Sequence, residues 1–371
     1  MSHDSCEMRW PDDGLHDWWD AADAFARGQL AGDAASRGDE VRAAMREMGM
    51  ASICADERLG GLAQGAAALA RVLEALGAVD ASAAAVIYAQ AAAHRALRCA
   101  SLPADAWRRH APDLADAWLA WPGYRALDEG SWPALTASPG ADGGATAALS
   151  GEVPMLLLGD SADWAVLPAC APDGTRPLVL LDLRHPGVRR GAPIRTLGLT
   201  ACGAADLCLT AAPCLLLGVD AATAFRRGAP LLAAGVIAMQ CGVMRGSLQA
   251  AQTYAADRHQ GGGDLLGWGE VRRLLSLMHE RWRAARGLLA QAVAADEPAG
   301  AADAASAEYG ALHAGALACE LTLDGVQLLG GNGYMKDYGQ ERRLRDARQL
   351  QSLPGGVAWR RQRLISQALA A

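Results

Sequence analysis

The ionisable and nucleophilic residues of this chain are numerous but seldom spaced for catalysis. Its nine cysteines fall at irregular intervals, with no C-x-x-C pair and no Cys/His cluster at zinc spacing. No metal site is read from them. They read as buried, reduced thiols. The conspicuous charge run is Glu341, Arg345, Asp346 and Arg348, which reads as an ion-pair network rather than a catalytic set. Neither Asp337 nor Tyr338 beside it reads as a base, and His259 reads as a surface histidine. Arg258 ends a long helical pattern, where a cation complements the helix dipole. Gln327 and Gly330–Gly331 mark a helix stop. Trp10, Trp18 and Trp19 suit a core or an interface. Between Ala221 and Ala256 there is no Asp or Glu at all.

The elements that position these residues follow from pattern. At 371 residues, with 51% hydrophobic and 20% charged residues, the chain is long and apolar enough for two to three packed domains. A net charge of −7 without a Lys/Arg run excludes a nucleic-acid surface. The start, MSHDSCEMRWPDDGLHDWWD, lacks the basic end and apolar run of a signal peptide. No stretch of about 20 residues is apolar and free of charge. No membrane span and a cytoplasmic location are therefore expected.

Apolar residues three and four apart predict helices at Val41–Met50 and Ala66–Leu76, with a turn at Gly60-Gly61. Ser82–Cys99 reads as a buried helix. From about Trp118 the pattern changes to short apolar runs among Pro and Gly. Strands are expected at Ala165–Ala169, Pro177–Leu183 and Leu207–Leu209, with a turn or loop at Gly140–Gly144. Helical periodicity returns over Ala233–Arg258, Glu270–Ala295 and, after the break Pro298-Ala299-Gly300, Ala302–Leu329. The expected class is α+β: an N-terminal helical domain (1–115), a small β-domain, barrel or sandwich (116–218), and a C-terminal four-helix bundle (219–371).

The segment Asp324–Arg348, DGVQLLGGNGYMKDYGQERRLRDAR, resembles the C-terminal signature of acyl-CoA dehydrogenases, D-x-x-Q-x-x-G-G-x-G-Y-x-x-(D/E)-Y-x-x-E-R-x-x-R-D-A-R. Further segments resemble that superfamily in the same order. They are Leu59–Val79 with the following Asp80-Ala81-Ser82, Leu197–Leu207, and Tyr254–Gly262 with Trp268 downstream. The resemblance spans the chain and implies the same helical, β, helical layout. It also implies an FAD-dependent oxidoreductase that oxidises an acyl thioester, on CoA or a carrier protein. A Glu takes the α-proton while the flavin accepts the β-hydride. An electron-transfer flavoprotein is the implied acceptor, and a homo- or hetero-oligomer the implied assembly.

Against that pattern the base is missing. The two positions where the family carries its Glu fall on Pro354 and Leu232, neither of which can accept a proton. No catalytic residue is assigned. The flavin-facing hydroxyls are missing as well, at Ala120, Leu157 and Gly356, and Thr200 stands where the family has Arg. The family's contacts to a neighbouring subunit's FAD are kept: Arg258 for the pyrophosphate, and Gln327, Gly330 and Gly331 for the adenosine side. Three readings follow. They are a dehydrogenase with a relocated base, a non-catalytic subunit that completes a partner's FAD site, and a flavin monooxygenase on the same fold.

Overall fold

The computed structural model describes residues 10, 14–31, 38–102, 104–124, 132–139, 145–296 and 304–370. Five helices come first: α1 (His16–Gln29), α2 (Gly38–Glu47), α3 (Ala66–Val79), α4 (Ala81–Arg98) and α5 (Ala104–Ala115). Seven strands follow: β1 (Leu119–Ala120), β2 (Ala134–Pro139), β3 (Ala145–Leu156), β4 (Trp164–Pro168), β5 (Pro177–Asp182), β6 (Val188–Arg190) and β7 (Ala205–Asp220). Helix α6 (Ala221–Asp257) leads into a small hairpin, β8 (His259–Gln260) and β9 (Gly263–Asp264). Helices α7 (Gly269–Ala295), α8 (Ala304–Leu329), α9 (Gln340–Leu350) and α10 (Val357–Ala370) complete the chain. The expected order of helices, sheet and helices is found. The predicted turn at Gly140–Gly144 and break at Pro298-Ala299-Gly300 lie outside the described residues.

Helices α3 and α4 are almost wholly buried and meet at a capped corner. Asp80 ends α3, and its Oδ1 accepts the N–H groups of Ser82 (2.7 Å) and Ala83 (3.2 Å), which satisfies the free donors at the start of α4. Helix α3 then lies against α6 at a distance only glycine permits. A Cβ at Gly242 would sit 2.5 Å from the Glu74 carbonyl oxygen, and one at Gly246 2.1 Å from that of Ala78. Helix α6 also packs on α7 and α8, so it forms the spine of the helical part.

Helix α6 begins at Ala221, well before the predicted Ala233. The helix runs through Gly228 and Pro230. Asp220 caps its start through Thr223 N–H (3.1 Å), and Arg95 donates to the Arg227 carbonyl (3.2 Å) in the turn that Pro230 disturbs. By length and composition α6 could cross a membrane, but its most apolar stretch is buried entirely within the protein.

The sheet runs β1-β4-β5-β7-β3-β2, with β6 also on β7. Among the described strand pairs, β1–β4 is parallel and the rest antiparallel, and the isolated Ala134↔Cys170 bridge is parallel too. Isolated bridges Trp121↔Leu157 and Ala134↔Cys170 join strands that are not neighbours in that order, so the sheet curls back on itself.

Candidate functional site

Two faces matter. The first lies where the β-sheet meets the turn after α9. Trp121 and Leu157 exchange backbone hydrogen bonds (3.2 and 3.0 Å), which draws the end of β1 against the end of β3. Ala120 and Leu157 are fully buried, and neither has a polar side-chain atom. A Cβ at Gly123 would lie 2.3 Å from Leu157 Cδ1 and 3.1 Å from Leu353 Cδ2. The strap Gln351–Gly356 crosses this point, and the Gly355 N–H donates to the Gly123 carbonyl (3.1 Å). Pro354, at one expected base position, is buried in that strap.

Leu232, the other base position, is buried in α6. One turn further on, the Tyr88 ring fills the space at Gly235, where a Cβ would be 2.9 Å from Tyr88 Cδ2. The Tyr88 hydroxyl is buried without a partner, and burial pushes its pKa up, so it stays protonated. Arg360 from α10, which is 1% exposed, faces it and donates to the carbonyls of Leu353 (2.9 Å) and Glu308 (3.4 Å). The Glu308 carboxylate is the buried acid here. It is paired with Arg363 and lies 3.9 Å from Arg360, so its charge is engaged by guanidinium groups. An isoalloxazine ring would need hydrogen-bond donors along its polar edge and a slot for its plane. Ala120, Leu157 and Pro354 offer no side-chain donor to such a ring.

The second face is open. Arg258 caps α6, its N–H bonded to the Tyr254 carbonyl (3.0 Å), while its side chain is exposed and makes no ion pair among the described residues. Gly261 and Gly262 (φ +70° and +86°) turn the β8–β9 hairpin, and the Trp268 indole lies beside Gly261 with Nε1 on the Gln260 carbonyl (3.3 Å). Gln327, Gly330 and Gly331 are exposed at the end of α8. A Cβ at either glycine would meet nothing within 4 Å, and Gly330 holds φ +57°. Asn332 Nδ2 donates to the Tyr254 hydroxyl (3.1 Å), and Tyr254 meets Tyr338 edge-on with ring centroids 6.1 Å apart. The end of α6 and the glycine turn after α8 are thereby tied together. Exposed cation and bare backbone on one face fit an anionic, adenosine-bearing group approaching from outside.

The remaining candidates are structural. Glu341 pairs with Arg345 (2.6 Å), and Asp346 accepts the Leu199 N–H (2.8 Å), so the charge run fastens α9 to the loop before β7. His259 pairs with Asp264 (3.1 Å) at the surface. Trp10 lies under the guanidinium groups of Arg71 (4.4 Å) and Arg286 (4.6 Å), and Trp19 under that of Arg245 (4.5 Å). Sequence reasoning missed Tyr88, Glu308 and Arg360. Each stands alone in an Ala-rich or amphipathic helix, and only the packing of α4, α8 and α10 brings them together.

The chain matches two family profiles: "Acyl-CoA dehydrogenase, N-terminal domain" over residues 15–101 and "Acyl-CoA dehydrogenase, C-terminal domain" over residues 227–369. It is 33% identical over 114 residues to the short-chain-specific acyl-CoA dehydrogenase of Clostridium acetobutylicum, a match covering 31% of this chain and 30% of that one. The match to that curated relative thus spans under a third of its length. In structure it resembles butyryl-CoA dehydrogenase from Megasphaera elsdenii, with a TM-score of 0.86, 20% identity, and coverage of 98% of this chain and 100% of that one. It also resembles a Tcur3481-Tcur3483 steroid acyl-CoA dehydrogenase variant, with a TM-score of 0.79, 24% identity, and coverage of 96% and 99%. With both terminal domains matched in order along one shared fold, the chain belongs to the acyl-CoA dehydrogenase superfamily.

Proposed function

We propose that this chain is a non-catalytic subunit of a heteromeric acyl-CoA dehydrogenase and that its α6–α8 face completes the FAD site of an intact partner. The observation that carries this reading is the contrast between its two faces. At the positions aligned with the family's own-flavin contacts stand the buried, apolar Ala120, Leu157 and Pro354, while Arg258, Gln327, Gly330 and Gly331 are exposed. The pair of designations borne by the steroid relative also suits an assembly of unlike chains.

FAD in such an assembly supplies hydride acceptance from an acyl thioester, and an electron-transfer flavoprotein would collect the electrons. Arg258 would hold the pyrophosphate of that FAD through a charge-assisted bond and take no part in the chemistry at the acyl carbons. Gly330 and Gly331 let the backbone approach the adenosine side, and the Asn332–Tyr254 bond keeps that turn in register with Arg258. The chain contributes no α-proton base. A lone dehydrogenase with a relocated base, or a monooxygenase, would each need a flavin ring on the closed face.

The test is co-expression with intact paralogues encoded near the gene, followed by measurement of FAD per complex. Arg258→Ala should lower FAD retention without unfolding this subunit. Unchanged flavin content and affinity in every complex formed would refute the reading.

A further inference from the structure

Arg343 on α9 falls on one of the two unspecified positions of the E-R-x-x-R-D-A-R run. Its Nε and Nη1 are sealed from solvent, and neither has a hydrogen-bond partner. Two glycines make room for it. A Cβ at Gly246 would be 3.0 Å from Nε, and one at Gly339 3.4 Å from Nη1. The acids nearby are already engaged. Glu341 is held by Arg345 (2.6 Å), Asp346 by the Leu199 N–H (2.8 Å), and Asp80 caps α4 and faces Arg342 at 3.8 Å. Arg342 in turn spends Nη2 on the Val79 carbonyl (2.8 Å). Burial, and then the Arg342 charge, push the Arg343 guanidinium down to about 10 against the opposing attraction of Asp346, which makes no hydrogen bond to it.

Proteins pair their buried charges or hydrogen-bond them, because an unmet buried donor forfeits its water without compensation. Arg343 breaks that rule with two donors at once. Its remaining nitrogen, Nη2, is not among these buried unpartnered atoms, and the residue is only part-buried. The adjoining surface carries exposed Tyr334, Met335 and Tyr338.

We propose that Arg343 is the floor of an oxyanion site that takes one carboxylate or phosphate group. The group comes either from the side chain of an associating subunit or from a phosphate-bearing small molecule. The proposal stands apart from the reading above, since it requires neither FAD nor the Arg258 face.

The test follows thermal unfolding of the purified protein, alone and in any complex it forms, in buffer free of oxyanions. Inorganic phosphate and acetate are titrated against the wild type, Arg343→Met and Arg343→Lys. In the lone chain, phosphate or acetate should raise the wild-type midpoint. Arg343→Met should start no lower than wild type and respond to neither, and Arg343→Lys should respond weakly. If a subunit's carboxylate is the natural occupant, the anion response should vanish in the complex, and Arg343→Met should weaken assembly by at least about tenfold. If a small molecule is the occupant, the response should persist there. The proposal is overturned if wild type responds to neither anion and Arg343→Met assembles normally. It is also overturned if Arg343→Met keeps the response, or starts less stable than wild type. Should Arg343→Met not fold, a response of Arg343→Lys equal to wild type would count against the site.

Discussion

The strap face and the α6–α8 face are built in opposite ways. At the strap, Gly355 is bonded to Gly123, apolar side chains fill the gap, and Arg360 braces the turn from below. At the α6–α8 face, Arg258, Gly330 and Gly331 are exposed, and the Asn332–Tyr254 bond and the Tyr254–Tyr338 contact help fix their relative position. Decay without function would have blurred both. In the proposed role, only the second meets a ligand.

The largest expected effect lies at the sealed face. Arg360→Met strands the Leu353 carbonyl and leaves Glu308 with one cation, so unfolding free energy should fall by about 3–5 kcal/mol. Urea denaturation measures it, and a loss under about 1 kcal/mol would mean that Arg360 does not brace the strap.

A second effect concerns pH. Burial raises the Asp346 carboxyl from 3.8 to about 6, against the opposing pull of the Leu199 N–H. A folded value above the unfolded one means that the native state binds this proton more tightly. Stability contributed by Asp346 is therefore full below about pH 4 and is lost as pH rises through 6. The swing is about 3 kcal/mol, at roughly 1.4 kcal/mol per unit. Asp346→Asn should flatten that part of the stability curve, and an unchanged curve would show that Asp346 does not titrate there.

The smallest effect belongs to the open face. Arg258→Ala removes an exposed side chain and should leave the unfolding midpoint within about 0.5 kcal/mol of wild type. In a complex it should weaken FAD binding by about 1.5–3 kcal/mol, the worth of one charge-assisted phosphate contact. Flavin titration of the complex checks the second figure.

The sequence was most legible where one element carries its own signal. Helix α4 was bounded within a residue by its apolar run and the Asp80 cap, and β4 and β5 by apolar stretches between turn residues. Strand β3 was not foreseen. Its ATAALSGEVPML holds one β-branched pair of positions, and its conformation is imposed by pairing with β7. At the site, the missing base and hydroxyls were readable because a family pattern fixes where they belong. What replaced them was not. Tyr88, Glu308 and Arg360 come from three helices far apart in the chain, and nothing local marks them as neighbours. The same holds for Arg343, whose isolation is visible only once every nearby acid has been assigned.

The account stands or falls on whether this chain can hold a flavin by itself. The direct measurement is the visible spectrum of the chain purified alone, beside that of the chain purified with a co-expressed intact paralogue. The lone chain should be colourless, and the complex should show a flavin band that is weakened by Arg258→Ala. Stoichiometric FAD in the lone chain would contradict it, because the ring would then occupy a face that Leu157, Leu353 and the Gly355–Gly123 bond close.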